Sequence, residues 1–126
     1  AYIKNLISTL SNNLPDGSRL IIKGENTVEW NKVAEEKKIV IYRVLQELMV
    51  NMKKHSGAKL VAISFAKTGK YLEINYSDTG VGVPGGLIER GGGLQNVENR
   101  IFSLNGSINF ESEAGKGFKV FLRIPV

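Results

Sequence analysis

The residues best suited to chemistry fall in four short clusters. When the sequence around positions 31–55 is wound at about 100° per residue, Glu47, Asn51 and Lys54 share one stripe, beside the apolar face and not opposite it. A carboxylate and a carboxamide one turn apart are hard oxygen donors, suited to Mg²⁺ and its waters, and Lys54 a turn later could meet a phosphate. A solvated helix face with one local hydrogen bond accounts for the same residues. Asp78 closes a β-rich run just before Thr79-Gly80-Val81-Gly82. A carboxylate there can accept from the exocyclic amine of adenine, while Gly80 and Gly82 let a flat ring lie against the backbone. An aspartate opening a β-turn fits equally. Gly91-Gly92-Gly93-Leu94 runs into a helical stripe, so its free N–H groups form either an anion site or the end of a linker. Gly115-Lys116-Gly117 reads as a tight hairpin turn. His55, at a helix end with no carboxylate nearby in sequence, is better explained by the helix dipole than as a general base.

Composition narrows the chemistry further. The chain has 126 residues and no cysteine, so disulfides, thiolate metal sites and cysteine nucleophiles are excluded. A single histidine excludes a multi-histidine zinc centre. Gly80-Val81-Gly82-Val83-Pro84-Gly85 satisfies a dinucleotide-binding pattern, but Pro84-Gly85-Gly86 intervenes before a helix can open on it, and that reading fails. The phosphate-loop motif is absent. Seventeen Lys/Arg against twelve Asp/Glu leave a net charge of +5, which a nucleotide satisfies as well as a nucleic acid does. The basic residues are scattered and the aromatics form no platform, so a nucleic-acid-binding module is the weaker alternative. No apolar run is long enough to cross a membrane and no signal peptide opens the chain.

The elements that must position these clusters follow from periodicity. Ile3, Leu6, Ile7 and Leu10 recur at helical spacing and stop at Asn12-Asn13-Leu14-Pro15-Asp16-Gly17. Arg19 to Lys23 reads as a short strand, and Gly24 to Trp30 as a loop with a possible edge strand near Val28. A helix is expected from about Asn31 to His55, with Ile41, Val44, Leu45, Leu48 and Met52 inward. Leu60–Lys67 and Tyr71–Ser77 form a hairpin around Thr68-Gly69-Lys70. Seven of the fourteen glycines lie between Gly80 and Gly93, marking a loop that hugs a ligand or moves. Leu94, Val97, Ile101 and Leu104 give another helix, closed by Asn105-Gly106. Ser107–Ser112 and Phe118–Ile124 pair as a final hairpin. This order predicts an α+β two-layer sandwich, a mixed and mostly antiparallel sheet with helices on one face.

Taken in order, Glu47-x-x-x-Asn51-x-x-Lys54-His55, Asp78-x-Gly80-x-Gly82, Gly91-x-Gly93-Leu94 and Gly115-x-Gly117 resemble the ATP-binding catalytic domain of sensor histidine kinases, of the superfamily shared with gyrase B, Hsp90 and MutL. The resemblance covers about Val33 to Val126 and implies a Bergerat fold that binds Mg·ATP. It implies that Asn51 ligates Mg²⁺ and that Glu47 orients a metal-bound water or polarises the reacting phosphate. Lys54 would touch the phosphates and His55 would lie near the ribose or phosphates. Asp78 would read adenine, with Thr79 assisting through a water and Gly80 and Gly82 giving the ring room. Gly91, Gly93 and Leu94 would sit at the phosphate end, near the turn of Gly115 and Gly117. Eight residues, Val83–Arg90, separate the second and third motifs without a phenylalanine-bearing box, which is more similar to the nitrate-sensing and membrane-fluidity-sensing kinases with short lids.

The whole chain, residues 1–126, is expected to be one such domain, with a helix and strand in 1–30 and the motifs in 31–126. The resemblance implies γ-phosphoryl transfer to a histidine on a dimerisation helix pair that would lie before Ala1, with a response regulator further downstream. It also implies an excised, monomeric, cytoplasmic piece that binds ATP without phosphorylating itself, tied to a membrane only through other segments. An anti-sigma-factor-type serine kinase of the same superfamily is the alternative.

Overall fold

A computed structural model describes residues 2–12, 14, 17–51, 60–79, 93–113 and 117–126. Its elements are α1 (Tyr2–Asn12), β1 (Arg19–Lys23), α2 (Glu35–Asn51), β2 (Leu60–Thr68), β3 (Tyr71–Asp78), α3 (Gly93–Phe102), β4 (Ser107–Glu113) and β5 (Gly117–Pro125). Alternation makes the sheet. On β3, Leu72, Ile74, Tyr76 and Asp78 are buried, while the residues between them are exposed or half-buried; Phe118, Val120, Leu122 and Ile124 do the same on β5. The strand order is β1-β2-β3-β5-β4, with β1 parallel to β2 and every other pair antiparallel. The parallel pair needs a crossover, and α2 supplies it. The expected α+β sandwich with a mixed, mostly antiparallel sheet is therefore the observed one.

The buried face of α2 (Ile41, Val44, Leu45, Leu48 and Met49, all 0% exposed) meets the inward residues of the sheet. Leu6 and Leu10 of α1 and Val97 and Ile101 of α3 belong to the same apolar cluster. Helix α1 is also tied to α2 by polar contacts. Tyr2 Oη donates to the Lys38 carbonyl at 2.8 Å, and the hydroxyls of Thr9 and Tyr42 share a hydrogen bond.

The strand near Val28 is not formed, and the helix expected from Asn31 begins later. Glu25–Thr27 and Trp30–Lys32 are short 3₁₀ turns, and Val33 is extended before α2 starts at Glu35. Tertiary packing decides this segment. Trp30 is buried between Tyr2 (centroids 5.2 Å apart) and Phe65 (5.3 Å, edge to face), and its indole N–H donates to the Glu25 carbonyl at 2.9 Å. A helix running through Trp30 could not keep these contacts while presenting Ile41 and Leu45 to the sheet.

Candidate functional site

Asp78 is the last residue of β3, a strand paired on both sides, and is 5% exposed. Strand alternation puts Tyr76 on the same face, and its hydroxyl donates to Asp78 Oδ2 at 3.1 Å. This partner was legible as an aromatic two residues before the aspartate, a pattern the sequence reading did not use. Burial, the Asp78 charge and the hydrogen bond donated to it push the Tyr76 phenol far above its ordinary range, in that order of importance. The neutral phenol therefore contributes stability that is complete below the unfolded value of 10.0 and is lost as pH rises from there toward the folded value. Phenolate absorbance from Tyr76 should appear only together with alkaline unfolding. Difference spectra against Tyr76→Phe check this, and a Tyr76 signal in the folded protein near pH 10.0 contradicts it.

The chain just beyond Asp78 is fixed by β2. Thr79 N donates to the Leu60 carbonyl at 3.1 Å, and Leu60 N donates to Thr79 Oγ1 at 3.2 Å. Thr79 thus spends an acceptor on the sheet and keeps its O–H as a donor. Gly117, at the start of β5, is pressed against the other side. Its φ is +90°, and a Cβ built there would lie 2.1 Å from the Asp78 carbonyl oxygen. The fold thus brings together Asp78, Thr79 and Gly117, from two motifs far apart in sequence.

Glu47 is half-buried on α2, and Asn51, the last residue of that helix, follows one turn later. Gly93 is the first residue of α3, so its N–H is among those that no helical carbonyl satisfies. Leu94 lies in the same first turn. Lys54, His55, Gly80, Gly82, Gly91, Gly115 and the short segment Val83–Arg90 lie outside the described residues.

Mg²⁺ takes carboxylate and amide oxygens and keeps several waters. Glu47 meets that requirement, since it makes no ion pair with any described residue. The donor types present therefore fit magnesium, though among the described residues no group of three or more His, Cys, Asp or Glu could hold a metal alone. A cavity of about 910 Å³ lies over the outer faces of α1, α2 and α3. Glu47 is on its wall, and Asp78 is not among its described lining residues.

Known proteins share this fold and much of this sequence. Two solved histidine kinases superpose with 98% of the chain, each over 62% of its own length: the kinase domain of a blue-light activated enzyme from Erythrobacter litoralis (TM-score 0.81, 18% identity) and AdeS from Acinetobacter baumannii (TM-score 0.70, 19% identity). At those identities the likeness is one of fold. Among curated proteins of Bacillus subtilis, the chain is 36% identical over 80 residues to the sensor histidine kinase LnrJ and 32% identical over 87 residues to the sensor histidine kinase ComP. The aligned parts are 64% and 67% of this chain but only 20% and 11% of those proteins, so it spans a small share of their length. Residues 36–126 match the family described as histidine kinase-, DNA gyrase B- and HSP90-like ATPase. Fold, motif order and sequence coincide: the chain belongs to this ATPase family, as an ATP-binding catalytic domain of the histidine kinase type.

Proposed function

We propose that this domain binds Mg·ATP and transfers the γ-phosphoryl group to a histidine presented by a separate dimerisation helix pair. The observation that carries the reading is Asp78: a buried carboxylate at the end of β3, oriented by Tyr76 and backed by Gly117. Asp78 would accept from the adenine amine, and Thr79 retains a donor for a bridging water. Backbone N–H groups from Gly91 to Leu94 would receive phosphate oxygens, with the dipole of α3 behind them. Asn51 and Glu47 would hold magnesium, which neutralises charge on the phosphates when bound. Lys54 would touch the phosphates and His55 would lie near the ribose or phosphates. In the transfer the γ-phosphorus–oxygen bond to ADP breaks, a phosphorus–nitrogen bond forms at the imidazole, and the imidazole loses its proton. Glu47 would act on the reacting phosphate through a magnesium-bound water, and the imidazole proton would pass to solvent.

Similarity to sensor histidine kinases supports this reading over a serine-kinase anti-sigma factor. Cytoplasmic placement, where ATP is available, and a downstream response regulator complete it; no helix among the described residues is long and apolar enough to cross a membrane. Asn51→Ala tests the metal role. Calorimetry should show ATP affinity in magnesium falling to the metal-free value, with metal-free binding unaltered. Retained magnesium assistance in the variant removes Asn51 from the site.

A further inference from the structure

Tyr76 buries a phenol where a phenylalanine would pack as well. Its side chain is 1% exposed and meets Phe118 edge to face, with centroids 6.3 Å apart, and Phe118 in turn stacks on Phe110 at 6.0 Å. None of these ring contacts uses the hydroxyl. A buried hydroxyl costs free energy unless it is bonded, and the bond that satisfies this one goes to Asp78 Oδ2. The ring also fixes the donor. A phenol oxygen lies on the axis of a flat ring, and this ring is held by its aromatic neighbours on a strand paired on both sides. An aspartate has no such restraint of its own, because its carboxylate torsion is broad. A hydrogen bond from a rigid donor to Oδ2 therefore selects one carboxylate plane, and with it the direction in which Oδ1 accepts. Burial and the Asp78 charge hold the phenol protonated far above its ordinary range, so it remains a donor at neutral pH.

We propose that Tyr76 is a positioning residue that sets the base preference of the site: by pinning Oδ2 of Asp78 it presents Oδ1 as an acceptor, which admits an amino purine and rejects an oxo purine. The inference rests on the reading of Asp78 as the adenine contact given above. Its chemistry is a matching of donors and acceptors. An ionised carboxylate only accepts. It meets the exocyclic amine of adenine as a donor, but it meets the carbonyl oxygen that replaces that amine in hypoxanthine as a second acceptor, with no proton between them. Tyr76 acts through Asp78 and touches no nucleotide atom. The same geometry governs Asp78→Asn. The amide has one oxygen, and only that oxygen can accept from Tyr76. The NH₂ is then turned to the base, where it opposes adenine and suits an oxo purine. Removing the Tyr76 hydroxyl frees the amide to turn over and offer its oxygen to adenine.

Calorimetric titration with Mg·ATP and with magnesium inosine triphosphate tests this on wild type, Tyr76→Phe, Asp78→Asn and the double variant, with circular dichroism checking each fold. Wild type should prefer ATP by at least about tenfold, and Tyr76→Phe should weaken ATP about three- to tenfold and narrow the preference. Asp78→Asn should bind the inosine nucleotide at least as well as ATP. Adding Tyr76→Phe to Asp78→Asn should then strengthen ATP about threefold or more. These opposite signs are the signature, because a hydroxyl with a merely structural role does not weaken ATP in one background and strengthen it in the other. An unaltered preference in Tyr76→Phe overturns the inference, as does ATP binding that falls further in the double variant. The Asp78→Asn titration needs no change at Tyr76 and decides the matter even if Tyr76→Phe does not fold: a preference for ATP that persists there overturns the inference. Failure of the underlying reading looks different. Equal binding of the two nucleotides by wild type removes Asp78 from base reading, and this inference with it. A folded wild type that binds neither removes nucleotide binding altogether.

Discussion

Asp78→Asn should lower ATP affinity about ten- to a hundredfold while leaving the fold intact. A hydrogen bond to a charged acceptor contributes about 1.5–3 kcal/mol, and each 1.4 kcal/mol is roughly a factor of ten in the dissociation constant. The amide keeps one carbonyl oxygen, which can still accept from the Tyr76 hydroxyl 3.1 Å away in the native protein. What it loses is the charge, and it gains an NH₂ that can face the adenine amine donor to donor. Asp78→Ala would be the poorer experiment. It strands the buried Tyr76 hydroxyl, at a cost of about 1–3 kcal/mol in stability, and so confounds binding with folding. Calorimetric titration of Asp78→Asn, beside a denaturation curve, separates the two. Wild-type affinity in a folded variant would take adenine reading away from Asp78.

Gly117→Ala should be far more damaging than its size suggests, with an expected loss of about 3–5 kcal/mol. An L-residue held at a φ of +90° pays about 1–2 kcal/mol for the left-handed conformation alone. The larger part is steric. The new Cβ would stand 2.1 Å from a backbone oxygen, that of Asp78, and the backbone must move to relieve it. Moving it shifts the pairing of Asp78 with Phe118, so ATP affinity should fall together with stability. Gly69→Ala is the matched control. It also has positive φ (+60°), in the β2–β3 hairpin, but nothing lies within 4 Å of its added Cβ, so only the conformational cost of about 1–2 kcal/mol remains. Urea midpoints for the two variants should differ clearly. Equal midpoints would mean that β3 and β5 separate easily at this point.

Most of the secondary structure was readable because alternation and helical spacing are local signals. The strand Arg19–Lys23 has the expected bounds, and both hairpins are found within two residues of theirs. The segment 24–34 was not readable. Its two 3₁₀ turns have no period, and burial of Trp30 depends on Tyr2 and Phe65, residues distant in sequence. The site divides in the same way. Glu47, Asn51 and Asp78 could be named because their order and spacing are linear features. The backing of Asp78 by Gly117 depends on β5 lying next to β3, a choice of strand order that composition and periodicity leave open.

The placement of β5 between β3 and β4 also has a consequence for biosynthesis. Every other described strand leaves the ribosome before β5, yet β5 borders both β3 and β4. During translation the β2–β3 hairpin can form early, while β4 waits without a partner and Asp78 has a strand on one side only. Competence to bind nucleotide then arrives in a single late step, as β5 inserts into the waiting gap. A truncation within Gly117–Pro125 would therefore yield a nascent-like chain with an unfilled sheet, prone to retention by chaperones, in place of a slightly shortened enzyme.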